Sequence, residues 1–112
     1  MRRIVVLESP YAGSPDEVAR NVTYARRALM HSISIGEAPM AGHLLYVQVL
    51  RDEVPVDRAL GIACHLAFID RADAVVVYTD LGISRGMQMA IDHATGAGVP
   101  VERRSIAGWV SA

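Results

Sequence analysis

At 112 residues the chain has room for one domain and one core, not two, and residues 1–112 are read as a single unit. With 52% hydrophobic but only 5% aromatic residues, the core must be built from Val, Ile, Leu, Ala and Met, which suits an α/β protein better than an all-β one. A formal net charge of −1 gives no electrostatic ground for binding a nucleic-acid polymer or a membrane surface, and all 11 basic residues are Arg, which excludes a Walker-type phosphate lysine, a Schiff-base lysine and a lysine general base.

Arg3 to Leu7 is a short continuous apolar run, as expected of a central parallel strand buried on both faces. Two arginines and a short apolar run ending at Glu8 read as a first strand, not a signal peptide. The loop from Glu8 to Gly13 follows, and then Ser14, Pro15, Asp16 and Glu17 signal a helix start: an N-cap serine, proline at the first helical position and acids in the first turn. Val18, Val22, Ala25, Leu29 and Ile33 mark the face this helix is predicted to lay on the sheet, and Gly36 is its predicted stop. Glu37 to Met40 is a very short second strand, with Pro39 at an edge or strand end. His43 to Asp52 reads as a helix with Leu44, Val47 and Leu50 on one side. A further helix runs from Pro55 to about Arg71, and its apolar stretch from Ala59 to Ile69 is too short to span a bilayer. Val75 to Tyr78 is a buried strand, Thr79 to Gly82 a turn, and a helix follows. Pro100 to Arg103 supplies a fourth strand, and the tail from Ile106 to Ala112 carries Trp109.

Strands alternating with helices predict parallel βαβ crossovers: a three-layer α/β sandwich around a mostly parallel four- to five-stranded sheet of flavodoxin- or Rossmann-like type. If the first strand is central, the switch point lies between strands one and three and brings the Glu8–Gly13 loop beside the Thr79–Gly86 loop. There Gly82 and Gly86 permit close backbone approach, and Ser84 caps the helix or donates to a phosphate or sugar. Asp80 and Glu8, each following an apolar strand, are candidate cleft carboxylates that divide acid and base roles or bind sugar hydroxyls. The glycine spacing is not that of a dinucleotide fingerprint.

His31, His43, His65 and His93 show no metal spacing, so no metal site is expected and no cofactor is implied. His43 is the histidine predicted near the cleft, whereas His65 and His93 are expected on a helix surface or as satisfied buried groups. No GxSxG elbow is present and Ser9 has no assignable His and acid partners, which argues against a hydrolase triad. Cys64, alone and among apolar residues, reads as a core residue of a cytoplasmic protein.

At these two loops the sequence resembles the nucleoside 2-deoxyribosyltransferase-like superfamily, which includes N-glycosidases and small bacterial and phage proteins. The resemblance rests on Ser9-Pro10-Tyr11 after the first strand, on Pro39 at the end of the second, on AVVVYTDLGISRGMQMA, and on the entry to the last strand at Gly98 to Val101. It implies a nucleoside or nucleotide in the cleft, a homodimer or higher homo-oligomer, and ligand contacts from Ser9, Pro10, Tyr11, Gly13, Pro39, His43, Gly82, Ser84, Gly86 and Met87. A neighbouring subunit's C-terminal region completes the site in such proteins, which points to Arg103, Arg104 and Ser105. The superfamily's nucleophilic glutamate falls on Gln88, and a neutral amide cannot form a glycosyl ester at ordinary rates. Three readings follow: Glu8 or Asp80 acts as the carboxylate of an N-glycosidase, the protein binds its ligand without turnover, or the alignment is shifted by a gap.

Overall fold

The computed structural model describes residues 1–110, so the last two positions of the predicted tail lie outside the described residues. In chain order the elements are β1 (Arg3–Glu8), α1 (Pro15–Ser34), β2 (Glu37–Met40), α2 (Gly42–Leu45) with a 3-10 turn at Tyr46–Gln48, α3 (Pro55–Ile69), β3 (Ala74–Tyr78), α4 (Arg85–Gly96) and β4 (Val101–Arg104). The sheet has four strands in the order β2-β1-β3-β4, and every neighbouring pair is parallel. The sheet is thus entirely parallel, as the uninterrupted apolar runs of its two central strands require.

The pleat sorts the β1 and β3 side chains onto two faces. Val5, Leu7, Ala74, Val76 and Tyr78 pack with Tyr24 and Ala28 of α1, with Ile106 and with the partly buried Trp109. On the other face Val6, Val75 and Val77 pack with Ile69 of α3 and with Met87, Ala90, Ile91 and Ala94 of α4. The result is a flavodoxin-like α/β/α sandwich with one core on each side of the sheet.

The start of α1 forms as its sequence signals. Ser14 Oγ accepts from the Glu17 N–H at 3.3 Å and Glu17 Oε1 accepts from the Ser14 N–H at 2.9 Å, a reciprocal capping box. Its buried face is rotated from the predicted one: Asn21, Tyr24, Ala25, Ala28 and Ser32 are buried, Val18, Val22 and Leu29 are partly buried, and Ile33 is exposed. Ala25 and Ala28 let the helix sit close on the sheet, and the two polar groups find partners there. Asn21 Nδ2 donates to the Tyr11 carbonyl at 2.9 Å, and Ser32 Oγ donates to Glu37 Oε1 at 2.8 Å.

Glu37 also ties the sheet together laterally. Its carboxylate accepts from Arg3 Nη2 at 2.7 Å and from Arg104 Nη2 at 2.6 Å, joining β2 to β1 and β4. The Arg104 guanidinium, against desolvation and with help from Arg3 and Ser32, holds the Glu37 carboxyl down at about 2. Arg104 is therefore committed within its own chain. The predicted helix from His43 to Asp52 is shorter than expected, one α-helical turn and one 3-10 turn. Cys64, expected in the core, is exposed on α3.

Candidate ligand-binding cleft

From β1 the chain moves toward one edge of the sheet and from β3 toward the other, so the connections leaving these adjacent strand ends part. A cleft of about 410 Å³ opens there, walled by the β1–α1 loop, by α2 and α3, and by the first turns of α4. Ser9, Tyr11, Ser84, Gly86 and Met87 all line it, together with Glu8 and His43, so the two loops meet as the topology predicts.

Glu8, the last residue of β1, is buried, and its Oε2 is hydrogen-bonded to His65 Nε2 from α3. Burial pushes the Glu8 carboxyl above its ordinary range, and the His65 contact works in the opposite sense. Nδ1 of His65 is buried without a hydrogen-bond partner. Beside it runs the backbone of Gly42, so close that a Cβ at that position would lie 2.5 Å from Nδ1.

The next residue forms a second pair: Ser9 Oγ lies 2.6 Å from His43 Nε2. Burial lowers the His43 imidazole to about 4 and so keeps it neutral near pH 7. Ser9 thus has the histidine partner that sequence reasoning failed to assign, and His65, expected on a helix surface or as a satisfied buried group, lines the cleft with one ring nitrogen bonded and the other without a partner. The signal for His65 was available in principle, since it is the one polar residue in the otherwise apolar run from Ala59 to Ile69.

At the opposite wall Ser84 caps α4, its Oγ accepting from the Met87 N–H at 3.2 Å. Arg85 and Gly86 occupy the first turn, where free amides and the helix dipole favour an anion. Gln88 is absent from the lining although Met87 and Met89 on either side of it belong to it: it is exposed and its Nε2 donates to Asp92 Oδ1 at 2.9 Å. Between these polar ends the wall is apolar, with Val47, Leu50, Ile62, Leu66 and Met89 presenting a surface for a flat, weakly polar group. Arg58, also on the lining, is neutralised by Asp52 at 3.6 Å.

Asp80 corrects a sequence expectation, because it does not line the cleft. Its carboxylate accepts from Tyr24 Oη at 2.5 Å, from the backbone N–H of Ile106 at 2.9 Å, from that of Ala107 at 3.2 Å, and from Ser105 Oγ. Desolvation pushes this carboxyl up, but the four donors outweigh it and hold the group at about 2. Asp80 therefore fastens the C-terminal tail, with Ser105 among its donors. Pro10, Gly13, Pro39 and Gly82 are also absent from the lining. Pro10 is buried, and Pro39 lies in β2 opposite Val5. Gly13 lies against Glu17, and Gly82, at φ +86°, makes the turn after β3. Outside the cleft, His31 Nδ1 is 2.8 Å from Tyr78 Oη and His93 Nε2 is 2.7 Å from Asp70 Oδ1. Among the described residues no three His, Cys, Asp or Glu converge as a metal site, and no helix is long and apolar enough to cross a membrane.

A family model described as Domain of unknown function (DUF7768) matches residues 3–104. No curated protein matches the chain with significance. Among solved structures, the fold is similar to that of a 2-deoxyribosyltransferase from the psychrotolerant bacterium Bacillus psychrosaccharolyticus, with a TM-score of 0.67 and 18% sequence identity over 97% of this chain and 77% of that one. At that identity the likeness is one of fold.

Proposed function

The chain belongs to the DUF7768 family, and we propose that its cleft binds a nucleoside or nucleotide and cleaves the N-glycosidic bond with Glu8 as the acting carboxylate. The observation that carries this reading is the buried Glu8 carboxyl in the cleft lining, hydrogen-bonded to His65. Cleavage of an N-glycosidic bond passes through an oxocarbenium-like state, which a nearby carboxylate stabilises, and it needs a group that moves a proton between water and the site. The Glu8 carboxylate does both, facing the sugar and accepting the proton of the attacking water, while His65 holds it in place. The apolar wall takes the base, the Ser9–His43 pair takes a neutral polar group, and Arg85 with the first amides of α4 faces a phosphate where the ligand carries one. The fold shared with a 2-deoxyribosyltransferase supports the substrate class.

A second reading, binding without turnover, is favoured by Gln88, whose amide stands where the resemblance expects a nucleophilic glutamate and which bonds Asp92 outside the lining. Chromatographic measurement of free base after incubation with nucleosides and deoxynucleoside monophosphates separates the two. The expected result is base release that falls about 10²- to 10⁴-fold in Glu8→Gln. Release unaffected by that change would remove Glu8 from the mechanism. Recovery of intact ligand with no release, and gain of release in Gln88→Glu, would establish the binding protein.

A further inference from the structure

We infer that Gly42 is a positioning residue: its backbone holds the His65 ring with a single proton, on Nε2, so that His65 donates to Glu8 and Glu8 meets the ligand as an anion. The catalytic consequence rests on the reading above; the placement of the proton does not.

The argument begins with the two ring nitrogens. Nε2 faces Glu8 Oε2, whereas Nδ1 is buried and has no partner. A proton on Nδ1, in the imidazolium or in the other neutral tautomer, would bury an N–H with nothing to accept it. A bare lone pair at the same place is the less costly deficiency. Protonated Glu8 donating to Nε2 would force the ring proton onto Nδ1 and meets the same objection. The arrangement left is neutral His65 with its hydrogen on Nε2, pointed at a carboxylate.

Gly42 enforces this in two ways. It is buried at the start of α2, and its backbone lies against the ring edge, which shuts out the water that would otherwise bond Nδ1. It also lacks the side chain that would collide there: a Cβ 2.5 Å from Nδ1 is closer than atoms approach, so any larger residue must displace the ring from Glu8. The neighbouring residue, His43, points to Ser9, so the one turn of α2 sets both histidine pairs.

The test is two-bond ¹H–¹⁵N spectroscopy of histidine-labelled protein at pH 7, with the His65 signals assigned by their loss in His65→Gln. The wild-type ring is expected as one tautomer with hydrogen on Nε2, and Gly42→Ala is expected to show hydrogen on Nδ1 as well. A wild-type ring protonated on Nδ1 or averaged between tautomers, or a Gly42→Ala spectrum identical to wild type, would overturn the inference. Should Gly42→Ala fail to fold, the same change is made in His65→Gln, whose side chain keeps a donor near Glu8 without a ring: recovered folding supports a clash with His65, and continued failure overturns it. Base release should fall about 10²-fold in Gly42→Ala. Absence of base release from every substrate would sink the proposed reaction while leaving the tautomer as measured.

Discussion

Glu8 and Ser9 are consecutive residues, yet each takes its histidine from a different helix, and burial treats the two pairs differently. His43 is held neutral at about 4 by desolvation, below the ordinary value near 6.5 that it regains on unfolding. Because its folded value is depressed, the unfolded state takes up a proton first as pH falls. Stability from this site is therefore complete above about pH 6.5, declines through pH 5 and levels off near pH 4, for a total of at most about 3 kcal/mol. Glu8 acts in the opposite sense, since its raised carboxyl is more easily protonated folded than unfolded. The comparison that isolates His43 is urea unfolding of wild type against His43→Gln, which keeps a partner for Ser9 without titrating. The wild type should lose stability faster than the variant between pH 6.5 and 4; parallel curves would show that His43 is solvated.

Asp80 shows how one side chain governs an element. Four donors from α1 and the tail converge on it, and the tail packs Trp109 against the α1 face of the sheet and edge-on to His31. Asp80→Asn is expected to cost about 1 kcal/mol, the size of a surface hydrogen-bond cluster, and to move the emission of Trp109 to longer wavelength. Since the folded carboxyl is depressed to about 2, this contribution is present above pH 4 and is lost as pH falls toward 2. An unchanged emission spectrum would mean that the tail holds without it. The sequence announced β1, β3 and the capped starts of α1 and α4, because runs of β-branched residues and Ser caps are local signals. It could not announce that Asp80 turns away from the cleft, since the donors that capture it lie 56 residues before it in Tyr24 and more than 20 after it. The rotated face of α1 has a more local cause: Asn21 and Ser32 are polar, and their burial depends on Tyr11 and Glu37, in the segments that flank the helix, folding back to pair with them.

At the scale of the whole molecule, α3 is too apolar for a helix with one covered face. From Ala59 to Ile69 it carries no Asp, Glu, Lys or Arg, and a helix that is hydrophobic all round belongs in an interior. One side supplies Gly61, Ile62, His65 and Leu66 to the cleft, while Val56, Leu60 and Phe68 remain 69%, 52% and 46% exposed and Cys64 is exposed among them. A second copy of the chain placing its own α3 there would cover both stripes at once, as an isologous two-fold contact requires. Sedimentation at micromolar concentration should then give a dimer, and Leu60→Glu should give a folded monomer, because a carboxylate facing its symmetry mate in an apolar contact is doubly unfavourable. Cys64 reports on the same surface: its reaction with a thiol reagent should be slow in the wild-type protein and fast in Leu60→Glu. A monomeric wild type with a freely reactive Cys64 would show that this face meets solvent, leaving the cleft to be built by one chain alone.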